Sequence, residues 1–324
     1  MRGASAIEGP RLTSFTTKGT RPVGESFADT TPARGAPPAP GVRIALMAGL
    51  LAIDDSGQGD ALVLVHGLAT TRQIWGLVAP ALALTRRVVT LDVPGFGESA
   101  PAGAGFELES VAQRIARGLA ARGVRAPFDL VGHSLGAGIA LTLAAARPRS
   151  VRRLVLVAPA GLAEVSRPAS VVLAATADAL LAARRRAGPL ADWRWGRRVL
   201  LALTAADGAR VPPTQARLMI NASASAQRTA PALAAITRAD LRPLLRQSPV
   251  PLGVIWGESD RTIPAHNVAI VRDARPDARV AMIARAGHVP MIERPDAFVA
   301  ALEGLLAALD KDSTTRGSSP FTLL

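Results

Sequence analysis

The stretch LVGHSLGAGIA, Leu130 to Ala140, holds a serine, Ser134, between Gly132 and Gly136. The apolar FDLV before it reads as a strand and Leu135 onward reads as a helix, so Ser134 falls at the junction. The chain must turn sharply there, and glycines two residues away on each side let strand and helix approach closely. That geometry lifts the hydroxyl clear of the backbone at a helix N-terminus, where the amide dipoles favour negative charge. The plainer reading is a buried serine in a tight turn. A serine hydroxyl is a poor nucleophile unless a base takes its proton and a third group orients that base.

The chain offers four histidines as that base: His66, His133, His266 and His288. His133 adjoins the serine, so its side chain leaves the turn in another direction. His66 lies in VHGL, a pattern suited to holding a loop. His266 follows Pro264 in a helical pattern and is expected to be exposed. His288, in ARAGHVPMIERP, follows a strand and sits in a Gly-His-x-Pro loop, from which an imidazole can reach the serine. For the orienting acid, Asp260 ends VIWGESD just beyond another strand, with Glu258 as the nearest competitor. Catalytic groups in open α/β sheets gather at the carboxyl ends of the strands.

These residues need a sheet to bring them together. ALVLVHG (61–67), RVVTLDVPG (87–95), FDLVGHS (128–134), VRRLVLVAPA (151–160) and PLGVIWGESD (251–260) have the β-branched, doubly buried composition of parallel strands. ARVAMIARAGH (278–288) is a weaker last strand. Helical patterns fall at 74–85, 108–122, 135–146, 263–272 and 295–309. This alternation predicts an α/β fold, a mostly parallel central sheet with helices on both faces. The core divides into 47–161 and 249–310, interrupted at 162–248 by Arg- and Ala-rich helical sequence that reads as a helical cap. Residues 1–46, with Pro10, Pro22, Pro32, Pro37, Pro38 and Pro40, read as a disordered extension, or as sequence ahead of a true start at Met47. Residues 311–324 read as a disordered tail.

Composition bounds the alternatives. Of 38 basic residues all but Lys18 and Lys311 are arginine, and the net charge is +13. Tyrosine is absent and aromatics total 3%, which leaves no stacking platform for single-stranded nucleic acid, so no nucleic-acid partner is expected. With no cysteine, disulfides, thiolate catalysis and Cys-based zinc sites are excluded together. No apolar run reaches the length of a membrane span. A cytoplasmic location is the default expectation, and the oligomeric state is left open.

The order nucleophile, acid, histidine, with the motifs HGLATTRQIW, DVPGFGES, GHSLG, WGESDRTIP and GHVPMIERP, resembles the α/β-hydrolase fold superfamily. More narrowly, it resembles the capped serine esterase, lipase and haloperoxidase-like branch. The resemblance runs from about Met47 to Asp310 and is weakest across the cap. It implies that Ser134 attacks a carbonyl carbon, that His288 accepts and later returns the proton, and that Asp260 holds the imidazole tautomer. The oxyanion would be met by the backbone N–H groups of Leu68 and Leu135. A small-molecule acyl substrate is implied, with neither metal nor other cofactor. Serine rather than aspartate at 134 argues against the haloalkane dehalogenase and epoxide hydrolase branches. HGLA also lacks the triple glycine of the HGGG lipases.

Trp75, Trp193 and Trp195 are candidate walls of the substrate pocket, with packing roles as the alternative. Asp92 is expected to support its loop. The arginines at 184–186, 194, 197 and 198 read as a solvated helix face, with an anionic substrate or acidic partner as the alternative. The functional expectation is therefore a serine hydrolase acting on an ester or related acyl bond through an acyl-enzyme. Acyl transfer, C–C hydrolysis by the same residues, or a non-catalytic ligand-binding protein are the alternatives.

Overall fold

A computed structural model describes residues 51–101, 103–163, 165–222 and 226–317, with backbone alone for 312–317. The expected N-terminal extension and residues 318–324 lie outside the described residues. The chain runs through β1 (Ile53–Ser56), β2 (Ala61–Val65), α1 (Ala79–Leu82), β3 (Arg87–Leu91), α2 (Leu108–Ala121), β4 (Phe128–His133), α3 (Leu135–Ala146) and β5 (Val151–Val157). Five helices follow: α4 (Arg167–Arg186), α5 (Arg194–Leu200), α6 (Pro213–Asn221), α7 (Thr229–Arg238) and α8 (Arg242–Gln247). The alternation then resumes with β6 (Leu252–Gly257), α9 (Val268–Ala274), β7 (Arg279–Ile283), α10 (Pro290–Glu293) and α11 (Pro295–Gly317).

The strands form one seven-stranded sheet in the order β1-β3-β2-β4-β5-β6-β7. β1 pairs antiparallel with β3, and every other pair is parallel. β2 shows why the strand sequences are predominantly apolar. Leu62 and Leu64 point into one buried cluster with Trp75 and Phe298, while Val63 and Val65 point into another with Ile115 and Leu130. A strand covered on both faces favours apolar residues at successive positions, and the polar residues buried in neighbouring strands, Asp129 and Arg153, are paired with each other. The helices differ according to their surroundings. α2 is amphipathic, burying Leu108, Val111, Ala112, Ile115 and Leu119 at helical spacing. α3 is buried from Leu135 through Ala144, so apolar and small residues surround it on every side.

That small-residue content lets α3 lie against the sheet. A Cβ at Gly132 would run into the Gly136 carbonyl, and one at Gly136 into the carbonyls of His66 and Val65. Gly136→Ala is therefore expected to destabilise the fold by about 3 kcal/mol, the upper end of overpacking costs. Urea unfolding measures this, and an unchanged midpoint would mean that α3 can move off β2 freely.

Part of the basic surplus is consumed inside the fold. Asp129, fully buried near the start of β4, accepts from Arg153, Arg152 and Arg86. Arg72, also buried, reaches Asp92, Asp54 and Glu98.

Three boundaries depart from the sequence reading. The helix expected over 74–85 is a 3-10 turn, Arg72–Trp75, and the one-turn α1, because Gly76 and Pro80 interrupt it. The helix expected from 263 is a 3-10 turn, Ala265–Asn267, leading into α9. The tail expected to be disordered from 311 continues α11 to Gly317, and no helix breaker occurs before that glycine. No helix among the described residues is long and apolar enough to cross a membrane.

Candidate active site

Ser134 occupies the one-residue turn between β4 and α3, with φ 55° and ψ −116°. Such a conformation is costly for a residue with a Cβ and persists only where its surroundings over-determine it. Four backbone bonds hold it. Its N–H donates to the Val157 carbonyl at 2.9 Å, and its own carbonyl accepts from Ala137 at 3.0 Å, Ala160 at 3.2 Å and Gly138 at 3.4 Å. Leu135 opens α3, so its N–H belongs to the first helical turn, whose amides have no carbonyl one turn behind them.

His288 and Asp260 meet from two other strand ends. Asp260 follows β6, and its Oδ1 accepts from the N–H groups of Thr262 at 2.8 Å and Ile263 at 2.9 Å. The Oδ2 of Asp260 lies 2.8 Å from His288 Nδ1. A carboxylate only accepts, so His288 carries its proton on Nδ1 and keeps the Nε2 lone pair free. Both side chains are buried. The competitor Glu258 is exposed, as is His266.

The His288 loop is fastened from several directions. Its N–H donates to the Thr204 carbonyl at 2.9 Å, in the segment after α5. Its carbonyl accepts from His133 Nε2 at 2.8 Å, and the two imidazoles lie 4.8 Å apart. Burial, and then the neighbouring His288, hold His133 well below the usual histidine range, so it stays neutral. Glu293 accepts from Gly287 N–H at 2.8 Å and Ala206 N–H at 2.7 Å, joining this loop to the inserted helices. Burial raises the Glu293 carboxyl above its ordinary value, against the pull of those amides.

His66 does comparable work on the loop after β2. Its Nδ1 lies 2.8 Å from the Gly67 carbonyl, and its Nε2 accepts from the Val93 N–H at 2.9 Å. Thr70 Oγ1 also donates to the Gly67 carbonyl, at 2.9 Å. Fixing that carbonyl fixes the opposite face of the same peptide plane, which carries the Leu68 N–H. Gly67 itself has no room for a side chain, since a Cβ would stand 2.9 Å from His133 Nδ1. Asp92 supports the neighbouring loop by accepting from Arg72 and from the N–H of Glu98 at 2.8 Å.

Ser134, His288, Leu68 and Leu135 all line one cavity of about 570 Å³, bounded on its other sides largely by apolar residues of α4, α6 and α7. The three tryptophans expected in its wall are elsewhere. Trp75 is fully buried, packed 6.0 Å from Phe298 and edge-on to His133 at 6.5 Å, so it supports the core beneath the site. Trp193 and Trp195 are 64% and 58% exposed at the start of α5 and do not line the cavity. An aromatic residue type does not say which way its helix faces.

His66 holds its loop, as the VHGL pattern suggested, whereas His133 and Glu293 were missed as positioning residues, because each acts on backbone groups brought near only by the fold. The chemistry available is that of a hydroxyl at a helix start, an oriented imidazole and two backbone donors around an apolar chamber.

A family model described as the alpha/beta hydrolase fold matches residues 60–295. The chain is 30% identical over 267 residues to a pimeloyl-[acyl-carrier protein] methyl ester esterase from Aeromonas hydrophila, covering 78% of this chain and 98% of that protein. It is 32% identical over 283 residues to a 2-hydroxymuconate semialdehyde hydrolase from a Pseudomonas species, covering 80% and 90%. Among solved structures, a hydrolase from Pseudomonas aeruginosa superposes with a TM-score of 0.65 at 25% identity, covering 79% of this chain and 94% of that one.

Proposed function

This chain belongs to the α/β-hydrolase fold family, and on that premise we propose that it is a serine hydrolase cleaving an ester or related acyl bond through an acyl-enzyme. One observation carries the reading. The His288–Asp260 pair, 2.8 Å apart, and the strained Ser134 turn open on the same apolar cavity. His288 Nε2 takes the proton of the Ser134 hydroxyl as its Oγ adds to the carbonyl carbon. The oxyanion that forms accepts from the Leu68 and Leu135 N–H groups, and Asp260 stabilises the imidazolium. His288 then protonates the leaving alcohol, and a water activated by the same imidazole releases the acid and restores Ser134. The helices from 162 to 248 act as a cap that supplies one side of the acyl pocket.

A second reading is C–C bond hydrolysis by the same residues. It is favoured by the relative named for a semialdehyde, a substrate with no ester.

A fluorophosphonate probe and a panel of short- and medium-chain p-nitrophenyl esters test the proposal. The expected result is probe mass on the peptide containing Ser134 together with ester turnover. Labelling without ester turnover would transfer the reading to the C–C substrate. A folded protein that neither labels nor turns over ester would overturn both readings.

A further inference from the structure

α4 turns one face toward the cavity. Leu173, Ala177, Leu180, Leu181 and Arg184 recur at helical spacing and all line it. The eleven steps from first to last span about 16 Å of helix. Thr176 also lines the cavity, with its hydroxyl donated to the Val172 carbonyl, and the final member of the stripe brings a guanidinium into the same chamber as Ser134 and His288. Arg184 Nε and Nη2 are buried and have no hydrogen-bond partner among the described residues. No acidic side chain among the described residues lines the cavity. Burial pushes the guanidinium below its ordinary pKa, and it remains cationic at neutral pH. Thr229 Oγ1, also on the lining, is likewise buried without a partner.

The buried arginines are provided for differently. Arg72, Arg153 and Arg275 each meet at least one carboxylate, and Arg197 donates to the carbonyls of Ala191 and Asp192. Arg184 is half-buried, and its two buried nitrogens have no such partner among the described residues. A cation desolvated without a partner is costly to the fold, and ligand sites are where such costs persist. A guanidinium fork matches a carboxylate bidentately, which an apolar chain alone would not require.

We propose that Arg184 receives a carboxylate at the end of the substrate's acyl chain, so that the favoured substrates are half esters of dicarboxylic acids. This rests on the serine-hydrolase reading for the ester and on the cavity for the acid. The acyl side is the better place for the charge. It stays bound through both half-reactions, whereas the alcohol departs after the first.

The test has two readouts. The first compares mono-p-nitrophenyl esters of glutaric to sebacic acid with their methyl-capped counterparts, on the wild type, Arg184→Leu and Arg184→Lys. The wild type should prefer the free acid by at least about tenfold in kcat/KM at one chain length. Arg184→Leu should bring that ratio to one or below, and Arg184→Lys should fall between. The second measures binding of suberate and of octyl phosphate without turnover. Suberate should bind at least about tenfold more weakly to Arg184→Leu, whose Tm should lie above the wild type's because an unpaired charge has gone.

A lower Tm would show that Arg184 is structural and overturn the proposal. Ester turnover with no preference for the free acid would also overturn it and leave the hydrolase reading intact. Octyl phosphate binding in preference to suberate would replace the carboxylate by a phosphate. Absence of all turnover, with suberate binding still dependent on Arg184, would overturn the hydrolase reading and keep the anion site.

Discussion

Ser134→Ala is expected to lower kcat for p-nitrophenyl ester hydrolysis by roughly 10⁴–10⁶-fold, with KM changed little. The loss falls on the chemical step because the variant removes only the Oγ that would bond to the acyl carbon. Everything that binds and polarises the carbonyl remains. The Leu68 and Leu135 N–H groups belong to the backbone, and the apolar walls come from other elements. The residual rate should therefore stay above that of water. The fold should survive as well, since the turn is held by the Ser134 N–H and carbonyl rather than by its side chain. Alanine has the same Cβ to accommodate at φ 55°, so the strain is unaltered. A variant with an unchanged Tm that retained turnover within tenfold of the wild type would remove Ser134 from the reaction.

The turn that holds Ser134 was legible from sequence because the features that shape it are local. A buried strand, a turn that must be tight and a helix beginning at the next residue all sit within ten positions. The meeting of Asp260 with His288 was legible for a related reason: each lies just past the carboxyl end of an apolar run, where parallel topology gathers side chains. β1 was missed because IDDS is a four-residue edge strand, half-buried only at alternate positions, and its acidic pair reads as a loop. The pocket was the least legible part. Its walls come from helices whose orientation no short motif records, so aromatic side chains drew attention that belonged to the α4 stripe. Arg184 read as one of a solvated run of three, although its spacing from Leu173, Ala177 and Leu180 already placed it on their face. Charge runs along a helix are divided among faces by period, not by sequence adjacency.

Asp260→Asn is expected to cost about 10⁴-fold in kcat, the effect of presenting the wrong imidazole tautomer, while leaving the protein nearly as stable as before. The reason lies in how the two carboxylate oxygens are used. Oδ1 accepts from the Thr262 and Ile263 N–H groups, and Oδ2 faces His288 Nδ1. An asparagine has one acceptor oxygen, and two backbone donors claim it. Its NH₂ must then face the histidine. Two donors cannot share that contact, so His288 moves its proton to Nε2 and loses the lone pair that would take the proton from Ser134. Both loop hydrogen bonds survive, which confines the damage to kcat. Asp260 is absent from the cavity lining, so KM should hold. Asp260→Ala would instead free both amides and lower stability along with activity. The comparison of kcat and Tm across the two variants separates tautomer control from loop support. An asparagine variant within tenfold of the wild type would mean that the His288 tautomer is set by its other contacts, the His133 ring foremost among them.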